Sequence, residues 1–154
     1  MSPRHYCGLG VAGIVVAAIL GCTPAKEPVA PVTYYIQLVR GNDDLSPPTP
    51  SGQRIGPKLS RQLRQVFKWH SYWEMNRREE TLAAGQKTRM RLSPEREVEI
   101  DLTQAGQRIV TAYYHGQAVG RTTRPTDLGM TVTGGDRDTN SAWFIVVRRD
   151  PPSH

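Results

Sequence analysis

Between Lys87 and Leu102 the chain alternates charge and hydrocarbon one residue at a time, and no other feature constrains the fold as much. Thr88, Met90 and Leu92 interleave with Lys87, Arg89 and Arg91, while Val98, Ile100 and Leu102 interleave with Glu97, Glu99 and Asp101. Successive side chains of a β-strand point to opposite faces, so each run predicts a strand with one apolar and one ionic face. Ser93-Pro94-Glu95 interrupts the pattern as a turn would. Pairing the two runs as a hairpin sets arginines beside carboxylates on the outer face, a favourable cross-strand register.

The period of two recurs along the body. Val32 to Arg40 carries Tyr34, Ile36 and Leu38 on one face, and further strands are expected over 108–114, 118–123, 128–133 and 142–147. Turn signals at 104–107, 115–117 and 134–140 separate them. The run from Trp143 to Val147 is apolar on both faces and is expected to be a central strand. Short strands at intervals of about ten residues predict a mainly β fold, an antiparallel β-sandwich or small barrel. One segment departs from the pattern. Gly56-Pro57 opens a helix with proline in its first turn. Leu59, Leu63, Val66 and Phe67 then form one apolar stripe, so a single amphipathic helix is expected over 57–69, packed on the strands. The preceding stretch, 41–56, contains Ser46-Pro47-Pro48-Thr49-Pro50-Ser51-Gly52 and reads as an exposed loop. Residues 32–150 are expected to form one domain, with 151–154 as a tail.

The first 22 residues have a different character. Arg4 supplies a positive start, Gly8 to Leu20 is apolar throughout, and Gly21-Cys22 closes the run. Thirteen residues are too few for an ordinary membrane-spanning helix, which needs about 20, but suit the apolar region of a signal peptide. Ile19-Leu20-Gly21-Cys22 resembles the lipobox of bacterial lipoprotein precursors, with Ile19 in place of the usual leucine. The resemblance covers residues 1–22 only. It implies a signal peptide over 1–21, diacylglycerol on the Cys22 thiol and cleavage after Gly21. It also implies a lipid-anchored place in the cell envelope, on the outer membrane facing the periplasm rather than the inner membrane, because Thr23 and not Asp follows the cysteine. Cleavage would remove Cys7 and leave no second thiol for a disulfide. Pro24, Pro28 and Pro31 make residues 22–31 a stiff, extended tether.

The net charge is +6, carried by 16 Arg and 4 Lys against 14 acids. Arginine excess favours phosphate, carboxylate or an anionic surface, and outside the cytoplasm this excludes nucleic acid as the natural partner. From Leu45 to Trp73 there is no acid at all. Lys58, Arg61, Arg64 and Lys68 fall largely on the helix face opposite Leu59, Leu63 and Phe67, with Trp69, Tyr72 and Trp73 at its end. These seven residues form the candidate binding surface, for anionic lipid, an anionic envelope polymer or an acidic protein. A solvated helix face explains the same cations.

No motif requires an enzyme, a cofactor or a metal. His70 and Glu74 stand four apart without the remainder of a zinc motif, and His115-Gly116 reads as a hairpin tip. Glu97, Glu99 and Asp101 share a strand face, the ordinary pattern of a solvated strand. Asp136, Asp138 and Asn140 alternate as oxygen ligands do at the start of a calcium loop, but the loop lacks the glycine at its sixth position and the distal glutamate. A tight turn accounts for them equally. The expectation is a membrane-anchored envelope lipoprotein with a non-catalytic binding or scaffolding β domain, an accessory of a secretion, pilus or outer-membrane assembly. A glycan- or anionic-lipid-binding domain is the first alternative and an envelope hydrolase the second.

Overall fold

The computed structural model describes residues 29–137 and 140–152. The signal-peptide run, Cys22, most of the tether and Asp138 lie outside the described residues. Ten elements follow in chain order: β1 (Val32–Asn42), β2 (Gln53–Arg54), α1 (Pro57–Val66), β3 (Ser71–Leu82), β4 (Lys87–Arg91), β5 (Arg96–Asp101), β6 (Gln107–Tyr114), β7 (Gln117–Pro125), β8 (Met130–Arg137) and β9 (Ser141–Arg148). They build two antiparallel sheets, one in the order β2-β3-β1-β9-β8 and one in the order β4-β5-β6-β7. The fold is mainly β, a two-sheet sandwich with one helix packed on it.

Alternation explains the layers. Tyr34, Ile36 and Leu38 of β1 and Ile145 and Val147 of β9 face inward to Val98, Ile100, Val110 and Ala112 of the four-stranded sheet. The intervening residues of the same strands, Val39, Ala142, Phe144 and Val146, face the other way and meet Leu59 and Leu63 of α1. Both faces of β1 and β9 are therefore covered, and β9 lies between β1 and β8, as its unbroken apolar run predicts. Away from α1 the outer face of the large sheet turns polar. Arg77 there clamps Glu74 through two bonds of 2.9 and 3.0 Å, and Gln37 donates to the same carboxylate.

The expected hairpin forms. Lys87 pairs with Asp101, Arg89 with Glu99 and Arg91 with Glu97 across β4 and β5. His115 and Gly116, at φ 48° and 79°, make the β6–β7 turn, and two consecutive positive φ angles are what a tight two-residue hairpin turn demands.

Two boundaries differ from the sequence expectation. The segment 41–56 is not all loop, because β1 continues to Asn42 and β2 pairs Gln53 with Glu74 and Arg54 with Trp73. The helix ends at Val66 rather than near 69: Phe67 is already extended, at φ −119° and ψ 150°. Phe67 and not Val66 then reaches the sheet, its ring 4.3 Å from that of Phe144, and Val66 is 74% exposed. Indole packing helps to explain the early stop, since Trp69 must turn inward to lie against Gly41, where even a Cβ would come within 2.8 Å of its ring.

The two sides of the sandwich are unlike. On one side β7 and β8 close the gap between sheets: a Cβ at Gly120 would lie 2.7 Å from the Gly134 carbonyl oxygen, and Thr122 donates to the Val132 carbonyl at 3.4 Å. On the other side a cavity of about 630 Å³ lies between β3 and the β4–β5 turn.

Candidate functional site

α1 is held by two leucines and leaves the rest of its circumference to water. Leu59 and Leu63 are 1% and 2% exposed, whereas Lys58, Arg61 and Arg64 are exposed. Its N-terminus has no side-chain cap and no acid in the first turn, so Lys58 stands against the positive end of the helix dipole. None of the ion pairs among the described residues involves Lys58, Arg61, Arg64 or Lys68. Arg64 donates to the Ser60 hydroxyl, at 2.8 Å. Pro57, Arg61, Arg64 and Gln65 border an open depression of about 400 Å³.

The cations of β4 make the contrast. Lys87 pairs with Glu99 at 3.1 Å, Arg89 with Glu97 at 2.6 Å and Arg91 with Glu97 at 3.5 Å. Glu97 is held below its usual pKa, first by the hydrogen bond from Arg89, and Lys87 is raised by its bond to Glu99. Asp101 is lowered by bonds from the Thr103 hydroxyl and amide. The three carboxylates of β5 are thus each occupied by a neighbour, the arrangement of a solvated ionic ladder.

The aromatic half of the expected surface lies elsewhere. Trp69, Tyr72 and Trp73 are 6%, 2% and 4% exposed. Burial pushes the Tyr72 phenol up to about 12. Lys68, beyond the end of α1, sets its ammonium 4.4 Å from the Trp69 ring. Trp69 and Tyr72 pack beneath α1 with Leu59 and Leu63, Trp73 lies outside that cluster, and none of the three offers an open stacking platform. His70 bonds Asp43 through both ring Nδ1, at 2.8 Å, and its backbone amide, at 3.1 Å, and these bonds hold the Asp43 carboxyl low. Asn140 is exposed, while Asp138 and the side chain of Asp136 lie outside the described residues. Among the described residues no group of three or more His, Cys, Asp or Glu is placed to hold a metal ion. No described helix is long and apolar enough to cross a membrane.

One feature escaped the sequence reading. Arg54, Trp73, Arg40 and Trp143 stand side by side across β2, β3, β1 and β9. Arg54 lies 4.6 Å from the Trp73 ring and Arg40 5.4 Å from that of Trp143. From the other sheet, Arg96 inserts 4.0 Å from Trp143 and 4.7 Å from Tyr114. This row of alternating guanidinium and ring closes one end of the sandwich and is worth about 0.5–2 kcal/mol per contact. Its signal in the sequence is arginine at or near strand ends, with Arg54 closing β2, Arg96 opening β5 and Arg40 two residues before the end of β1, and it becomes legible once the strand order is known.

No family model, curated protein or solved structure matches the chain.

Proposed function

We propose that the chain is a lipid-anchored protein of a bacterial cell envelope, held by Cys22, whose β domain binds and does not catalyse. Its role would be that of an accessory in a secretion, pilus or outer-membrane assembly, docking an acidic partner protein on the outer face of α1.

The observation that carries this reading is the contrast between two basic surfaces on one domain. Lys87 and Arg89 of β4 are closely matched by carboxylates and Arg91 only loosely, whereas among the described residues no cation of α1 forms an ion pair. Like charges left together on a helix repel, and a face that tolerates this cost is suited to a partner that removes it. Placement supports the same reading. β1 begins at Val32, and α1 packs over Val39, about 23 Å further along it, so the basic face lies away from the end at which the chain enters the domain. An acidic protein suits this surface better than a glycan, because sugar recognition by stacking needs open ring faces, and Trp69, Tyr72 and Trp73 are buried. Support for binding over catalysis comes from the histidines: His70 is engaged by Asp43, and His115 sits on the β6–β7 turn beside Glu95.

Crosslinking in intact cells, followed by mass spectrometry of what co-purifies, tests the proposal, with Arg61→Glu/Arg64→Glu as the control. A defined protein partner lost in the double variant is the expected result. Lipid or glycan recovered in place of protein would transfer the role to the anionic-polymer reading. Turnover of an envelope substrate that disappears on His70→Ala or Glu99→Gln would end the non-catalytic reading. Cys22→Ser is expected to abolish labelling by palmitate and release the chain from membranes.

A further inference from the structure

The open side of the sandwich carries a second surface, independent of α1 and of the lipid anchor. β4 is the last strand of its sheet, with β5 on one side and, among the described residues, no strand on the other. The Leu92 amide donates to the Arg96 carbonyl and the Leu102 amide to the Gln86 carbonyl. Backbone groups alternate sides along a strand, so Thr88, Met90 and the Leu92 amide face β5, while Lys87, Arg89 and Arg91 aim their N–H and C=O groups outward; the Leu92 carbonyl accepts from Asn76 Nδ2 of β3. Such an edge is a template for another strand.

At the Arg91 end of this edge lies the 630 Å³ cavity, bounded by Leu38, Met75, Arg78, Arg91, Leu92 and Trp143. A bulge opens it. β3 pairs Asn76 with Leu38 and Glu74 with Val39, leaving Met75 as the extra residue, and a bulge commonly re-aims a side chain in this way. No acid lines the cavity. Arg78 is exposed and makes no ion pair among the described residues, and the Arg91 side chain is 70% exposed with only a long contact to Glu97.

We infer that this groove takes an extended acidic peptide segment of a partner protein, added as a further strand along β4. Its backbone would bond the outward amides and carbonyls of Arg89 and Arg91, its acids would meet Arg78 and Arg91, and its alternate apolar side chains would enter over Met75 and Leu38. Two features select a peptide over a lipid or a sugar. The unpaired groups are spaced as a strand backbone requires, and Trp143 is flanked by the guanidinium groups of Arg40 and Arg96, which lie where a sugar ring would stack.

The test selects from a displayed library of random linear peptides on the immobilised full chain. Bound peptides are then read by amide hydrogen exchange. The expected result is enrichment of sequences with Asp or Glu at alternate positions and slowed exchange at Lys87, Arg89 and Arg91. Arg78→Glu/Arg91→Glu should weaken binding on the order of tenfold or more. Arg91→Pro should weaken it well beyond Arg91→Ala, because both remove the side chain but only proline removes the outward N–H, which β5 does not use. Arg61→Glu/Arg64→Glu should leave it unchanged, which separates this site from α1. No enrichment, enrichment of basic sequences, unaltered exchange on β4, or equal binding by Arg91→Pro and Arg91→Ala would each overturn the inference.

Discussion

Arg108 is the residue whose environment departs furthest from its ordinary chemistry. It is 0% exposed, and its Nε and Nη2 donate to the Thr131 hydroxyl at 3.0 and 2.8 Å, while Nη2 also reaches the Leu128 carbonyl at 2.9 Å. The Tyr34 ring lies 5.4 Å away, and Nη1 has no partner. Burial pulls its pKa down, and none of these hydrogen-bond acceptors is a carboxylate. A buried cation so placed fixes geometry more than it stabilises. Arg108→Ala should cost about 2–4 kcal/mol through the lost bonds and the cavity. Arg108→Met, which fills the space without charge, should stay within about 1.5 kcal/mol of the parent. Urea unfolding distinguishes them, and equal losses would show that the cation itself is required. Asp43 gives a pH prediction at the same scale. Its folded pKa lies below the ordinary 3.8, so its contribution is present above that value and lost as pH falls through the folded one. His70→Ala, which keeps the backbone bond, should raise the Asp43 titration midpoint measured by NMR towards 3.8. An unmoved midpoint would assign the shift to the backbone alone.

Elements were legible where period and environment agreed. The β4–β5 hairpin, the two-faced β9 and the leucine stripe of α1 all follow from spacing, because each element meets what its pattern anticipates. The misses have one cause. Helix periodicity does not reveal that the indole of Trp69 is needed against Gly41, and alternation does not distinguish an arginine facing water from one between rings. Arg40 and Arg96 therefore carry no signal of their ring contacts, and Trp69, Tyr72 and Trp73 fall within the candidate binding surface because they follow a basic helix. α1 itself is built with the wrong sign at its first turn. Lys58→Glu should stabilise the fold by about 0.3–1 kcal/mol, an acid at the helix N-terminus being favourable, while weakening any acidic partner. Stability that fell instead would mean that Lys58 makes a folded-state contact. Between the sheets, Gly120→Ala must push β7 from β8 and should cost about 1–3 kcal/mol by thermal unfolding. An unchanged midpoint would show that the closure on that side is loose.

At the scale of the molecule, the domain separates its surfaces. β1 begins at Val32, Lys87 and Arg89 of the ionic ladder are held by carboxylates, and the cations of α1 lie on the outer face of the large sheet. The β3–β4 side is held open by the Met75 bulge while β7 and β8 close the other. A domain whose charge is balanced on one face and left unbalanced on another suits the docking role proposed for it. The most direct measurement is site-specific photocrosslinking in living cells from Gln62 on the exposed side of α1, compared with the same probe at Thr103 beside the ionic ladder. The account predicts a discrete protein adduct from position 62, absent from position 103 and abolished by Arg61→Glu/Arg64→Glu. An adduct from 103 alone, or one from 62 that survives the charge reversal, would contradict it.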